Sequence, residues 1–116
     1  MWDGNQVQTL AMTRRVVLSS SPTVGVDAAL GTWFALTATS GVPFAIKDPD
    51  NGTAGQVITI TIRNDSGGAL DAVRWGGAYK LGPWNRLASG NNRSITFAYD
   101  GVHWIEIART TVDVPN

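Results

Sequence analysis

Residues 56–63, Gln-Val-Ile-Thr-Ile-Thr-Ile-Arg, alternate so regularly that one backbone state suits them far better than any other. Side chains two apart share a face of a strand, so Ile58, Ile60 and Ile62 take one side and Val57, Thr59, Thr61 and Arg63 the other. On a helix the same residues would ring the axis and leave no apolar stripe. The β-branched side chains also favour an extended backbone. Such a strand needs neighbours on its edges and a cover over its isoleucines, which predicts a sheet-based domain with this segment central to the core.

The rest of the chain supplies candidates for those neighbours. Residues 94–107 read as two strands folded back through Tyr99-Asp100-Gly101, with Gly101 in the left-handed position of a three-residue loop. In that register Ile95 and Phe97 share a face with His103, Ile105 and Ile107, while Ser94, Thr96, Ala98, Trp104 and Glu106 take the other. Further extended stretches are expected over residues 7–18, interrupted by Arg14 and Arg15, and over 32–39, 42–46, 69–75 and 78–81. Pro43 places the 42–46 strand at a sheet edge. A short helical turn fits 24–30, ahead of Gly31, and residues 47–55 and 64–68 are dense in turn formers. The predicted fold is all-β: a single antiparallel β-sandwich, jelly-roll-like, of seven or eight short strands. Residues 1–15 form an amino-terminal arm and first strand, 16–109 the sandwich, and 110–116 a carboxy-terminal tail.

Composition narrows what such a domain can do. With 116 residues the chain has room for one core. Nine basic and nine acidic side chains cancel and are scattered, which argues against nucleic acid as a partner. The absence of cysteine removes disulfides and thiolate chemistry. No apolar run is long enough to span a bilayer, so membrane insertion is not expected, and the amino terminus has no leader pattern.

Several residue groups invite a chemical role. Asp48, Asp50 and Gly52 begin a calcium-loop spacing, but the twelfth position is Thr59, inside a strand, so an ordinary turn is expected and no metal or cofactor. His103, the only histidine, forms a triad on paper with Asp100 and Ser94, yet no nucleophile turn accompanies them; it is expected to be a packing residue. Glu106 and Asp100 are the sort of carboxylate pair any chain with this many acids offers. No catalytic residues are expected. Trp84, in a loop bordered by Gly82 and Pro83, lies near Tyr79 and Arg86 and is the candidate ligand-facing group, because exposed aromatics beside polar groups hold sugar rings. Otherwise it lids one end of the fold. Trp2, Arg14 and Arg15 are the candidate partner-binding residues of the arm.

One recurring order runs through the chain. Gly55-Gln56 opens the alternating strand; Asn64-Asp65 and Gly67-Gly68 follow; then come Arg74-Trp75-Gly76-Gly77-Ala78-Tyr79-Lys80 and Phe97-Ala98-Tyr99-Asp100-Gly101-Val102-His103-Trp104. Together these resemble a small β-sandwich module of tailed-bacteriophage virion proteins, found in capsid decoration proteins and in head-fibre and tail-fibre domains. The likeness covers roughly residues 16–109. It implies a non-enzymatic homotrimer on the outer surface of a virion. With only a short arm ahead of the module, a decoration or cement protein bound to the major capsid protein is the first expectation. An adhesin binding host-surface glycans through Tyr79 and Trp84 is the alternative.

Overall fold

The central position predicted for the alternating strand is the one it occupies. The computed structural model describes residues 15–70 and 73–116. In it β5 (Val57–Asn64) lies between β3 (Trp33–Ala38) and β8 (Asn91–Tyr99) in the larger of two sheets. Ile58, Ile60 and Ile62 are fully buried, and each removes enough apolar surface from water to contribute roughly 1.5–3 kcal/mol.

The path into that sheet is a coil. β1 (Arg15–Leu18) lies in the larger sheet, β2 (Thr23–Val24) in the smaller, β3 back in the larger, β4 (Phe44–Ile46) in the smaller, and β5 and β6 (Val73–Trp75) repeat the alternation. Every pairing along this path is parallel: β1 with β3, β3 with β5, β2 with β4, and β4 with β6. The 3-10 turn Ala28–Leu30 bridges the two sheets in the first coil, capped by Asp27, whose carboxylate accepts the Ala29 N–H. After β6 the chain changes habit. β7 (Tyr79–Lys80) sits at the far edge, β8 runs antiparallel to β5, β9 (Trp104–Arg109) antiparallel to β8 and parallel to β7, and β10 (Val114–Pro115) antiparallel to the start of β8.

The chain is all-β, as expected, but its arrangement is solenoid-like. The expected antiparallel, jelly-roll-like sandwich is corrected, because among the described strands antiparallel ladders join only β5, β8, β9 and β10, with one further antiparallel bridge between Leu70 and Leu87. A period of two residues is common to both kinds of strand pair, so alternation carries no information on direction. The 42–46 strand is corrected too: β4 is the middle strand of its sheet, and Pro43 lies just outside it. The core fills the space between the sheets, with Phe34, Leu36, Ile95, Phe97 and Trp104 from one side and Val24, Phe44 and Ile46 from the other.

The β8–β9 hairpin departs from its expected register. Its loop has four residues, because Tyr99 pairs with Trp104. The Asp100 carboxylate accepts the N–H groups of Val102 and His103 at 2.8 and 2.6 Å, and Gly101 takes a positive φ of 101°. One extra loop residue turns Trp104 inward beside Phe97 and sends Ile105 outward. A bulge opposite the Thr96–Phe97 step then leaves Ile107 and Ala108 exposed and returns Arg109 to the inner side. His103 is consequently a loop residue, and Ile105 and Ile107 do not join the core.

Candidate functional site

Two places hold residues with functional potential: an aromatic cluster at one end of the core and the outer face of the larger sheet. The cluster forms because β6, β7 and the following loop close over Phe97. Trp75 meets Tyr79, Trp84 and Phe97 at ring-centroid distances of 5.1, 5.2 and 5.6 Å. Tyr79 is 4% exposed, and its hydroxyl donates to the Lys47 carbonyl at 2.9 Å. Burial, together with the Asp48 charge, pushes its phenol well above the ordinary 10.0, so it remains a neutral donor.

Trp84 is half-buried between two guanidinium groups, Arg93 at 4.7 Å and Arg109 at 5.7 Å from its ring centre. Both cations are themselves anchored. Arg93 forks onto Asp113 at 2.7 and 3.1 Å and donates to the carbonyls of Asn85 and Arg86. Arg109 pairs with Glu106 and donates to the carbonyls of Gly82 and Pro83. Glu106 also accepts the Gly82 N–H at 2.8 Å; the Arg109 hydrogen bond, more than any other contact, holds its carboxyl below the ordinary 4.5.

The three candidate ligand-facing residues are therefore not presented together. Tyr79 points into the core, Trp84 is clamped by arginines, and Arg86 is exposed. Of the candidate partner-binding residues, Arg15 lies on edge strand β1 with its guanidinium 5.6 Å from the Trp33 ring. Trp2 and Arg14 lie outside the described residues. Ser94 binds Thr61 while Asp100 caps the hairpin loop, so these two are not drawn to His103 as a triad. Asp48 accepts the Ala78 N–H at 2.9 Å, a structural use of the turn. Among the described residues no three histidine or acidic side chains converge as a metal site would require.

The outer face of the larger sheet went unread in the sequence. Its rows follow from the register: Trp33, Thr59, Thr96 and Ala108 in one, Ala35, Thr61 and Ser94 in the next, and Val57, Ala98 and Ile105 on the other side. None of these residues is charged, but the register sets Arg15 beside Trp33 and Lys80 beside Ile105. Their polar groups satisfy one another: Thr59 bonds Thr96 at 2.8 Å, Thr61 bonds Ser94 at 2.7 Å, and the Trp33 indole N–H donates to Thr61 at 2.9 Å. Large apolar groups nonetheless stand in solvent, with Ile107 at 58% and Val17 at 71% exposure, and Trp33, Val57 and Ile105 each a little over 40%. The available signal was a run of apolar and hydroxyl side chains on one side of two strands: Val57, Thr59 and Thr61, ahead of Arg63, on β5, and Ser94, Thr96 and Ala98 on β8.

No protein-family model matches this chain, and neither does any curated protein or solved structure.

Proposed function

We propose that the chain is a structural component of a tailed-phage virion, a trimeric decoration protein that binds the major capsid protein on the outer surface and reinforces the shell without chemistry. The observation that carries this is the outer sheet face, whose exposed apolar groups, flanked by Arg15 and Lys80, suit burial against protein. The residues that carry the family resemblance are spent on the scaffold. Gly55 takes a positive φ of 91°, Gln56 reaches the Ala28 carbonyl, Asn64 is a buried hub, and Tyr79 and Trp104 are core. What distinguishes the surface is therefore its assembly potential. A subunit that binds only the assembled shell stabilises it by mass action.

The adhesin alternative draws less support, since Tyr79 and Trp84, the rings it needs, are turned into the core and the arginine clamp. The test is copy number in purified particles, by quantitative mass spectrometry against the major shell subunit. Copies comparable in number to the shell subunits are expected. A few per particle would place the chain at a tail or vertex and overturn the decoration role, and complete absence from particles would overturn virion membership.

A further inference from the structure

We infer that Asn51 is a self-modification site, where the Asn51–Gly52 step closes to a succinimide and reopens as aspartate or isoaspartate, and that the product loosens the first coil from the second. Among the asparagines of the sequence, Asn51 is the one that glycine follows. A glycine has no side chain to shield its nitrogen, so that nitrogen can approach the preceding asparagine side chain closely. Asn51 stands in solvent on the loop between β4 and β5, with a positive φ of 59°, and Gly52 beside it is half-buried. Water, and the hydroxide that draws off the amide proton, therefore reach the step.

The reaction balances with water as its only co-reactant. The Gly52 nitrogen gives up its proton and attacks the Asn51 Cγ; the N–Cγ bond forms, the Cγ–Nδ2 bond breaks, and the proton leaves with Nδ2 as ammonia. Water then opens the five-membered ring. Opening at the side-chain carbonyl leaves aspartate, whereas opening at the main-chain carbonyl leaves isoaspartate, whose main chain runs through Cγ and is one carbon longer. Either product turns a neutral amide, which donates, into a carboxylate, which only accepts.

The amide so lost is a link between coils. Its Nδ2 donates at 3.0 Å to the Asp27 carboxylate, and the same Asp27 oxygen accepts the Ala29 N–H to cap the 3-10 turn of the first coil. Beside this link Asp27 bridges Asp50: the Ala28 N–H donates to the Asp50 carbonyl at 2.8 Å, and the Asp50 N–H to the Val26 carbonyl at 2.9 Å. A carboxylate at position 51 faces Asp27 charge to charge, so the link becomes a repulsion. On its other side Gly52 has no room to shift. A carbon added to its Cα would come 2.5 Å from the Trp104 ring and 3.0 Å from that of Tyr99, and these two rings are stacked 4.3 Å apart. The extra main-chain carbon of isoaspartate is thus inserted between two held points, the Asp50 bridge and Gly52.

The experiment incubates the folded full chain at mildly alkaline and at mildly acidic pH, beside a synthetic peptide of residues 47–56, and maps the products by mass spectrometry with isoaspartate scored by methyltransferase labelling. Asn51 is expected to convert several-fold ahead of Asn91 and Asn92, and faster at the alkaline pH, where the Gly52 nitrogen is more often deprotonated. Asn51→Asp, which reproduces the aspartate product, should lower Tm by about 3–5 °C, and the isoaspartate form, separated by its added negative charge, should melt lower still. Adding Asp27→Asn to Asn51→Asp should return most of that loss, because the amide then stands on the other partner and donates to the new carboxylate, while its oxygen still caps Ala29. Asn51 surviving in the folded chain while the peptide converts, or converting no faster than Asn92, would overturn the site. An Asn51→Asp melt equal to the wild type, or a double variant no more stable than Asn51→Asp alone, would overturn the link between coils.

Discussion

Asn64 ends β5 with none of its surface exposed, and its side chain makes four hydrogen bonds. Its amide donates to the carbonyls of Gly68 and Leu87, both at 2.8 Å, and its oxygen accepts the N–H and hydroxyl of Ser66. Asn64→Ala would leave the Ser66 N–H without its acceptor and take one of two donors from each of the Gly68 and Leu87 carbonyls, which keep the Ser66 hydroxyl and the Leu70 N–H, so a loss of about 2 kcal/mol is expected, measured by urea unfolding. Composition marks asparagine before Asp65-Ser66-Gly67-Gly68 as a turn former, and the turn is there. Its service as a hub depends on Leu87, which lies too far along the chain for any local pattern to connect. Two carboxylates set the response to acid. Backbone N–H groups of His103 and Val102 hold Asp100 below its ordinary 3.8, as the Arg109 hydrogen bond holds Glu106 below 4.5. A depressed folded value means stability that is complete above the ordinary value and lost as pH falls through the folded one. Thermal stability should accordingly be level down to about pH 5 and decline below it, and Glu106→Gln should flatten part of that decline in a series of melts.

At the scale of elements, the segment expected to be a tail behaves as a clasp. β10 pairs with the start of β8, the Asn116 amide donates to the Asn64 carbonyl at 3.0 Å, and Asp113 meets Arg93, which is 7% exposed. Removing Asp113, whose side chain is 25% exposed, leaves the buried Arg93 charge with only the carbonyls of Asn85 and Arg86. Asp113→Ala should therefore cost about 2 kcal/mol, whereas Arg93→Met in the same background should recover part of the loss, read as a double-mutant cycle in urea. Extended segments were legible wherever alternation was strong, as at β3, β5 and β8, and Gly101 marked its turn correctly. Loop length in the hairpin was not legible, because it was fixed by the Asp100 carboxylate bonding two N–H groups. That one-residue difference exchanged Trp104 for Ile105 in the core and left Ile105 in solvent on the outer face.

For the whole molecule, the direction of strand pairing decides the architecture, and it follows from where the chain crosses between sheets rather than from any residue pattern. Val24, Phe44 and Ile46 report only that they are buried; that they stack in parallel coils is a property of the path. The outer face was illegible for a related reason. Its rows of apolar and hydroxyl side chains draw on β3, β5 and the β8–β9 hairpin, segments well separated in sequence, and they become a surface only when these are laid side by side.

The coil also holds its strands unequally. Among the described residues β1 pairs only with β3 within the larger sheet, whereas β8, inside it, is fastened by β5, β9 and β10 together. A stack whose units bind only their nearest neighbours comes apart from whichever end is least held. Drawn from its amino-terminal side, the described fold would yield first at β1, while β5, gripped by β8 on its other edge, would yield later, so that extension would be released in steps.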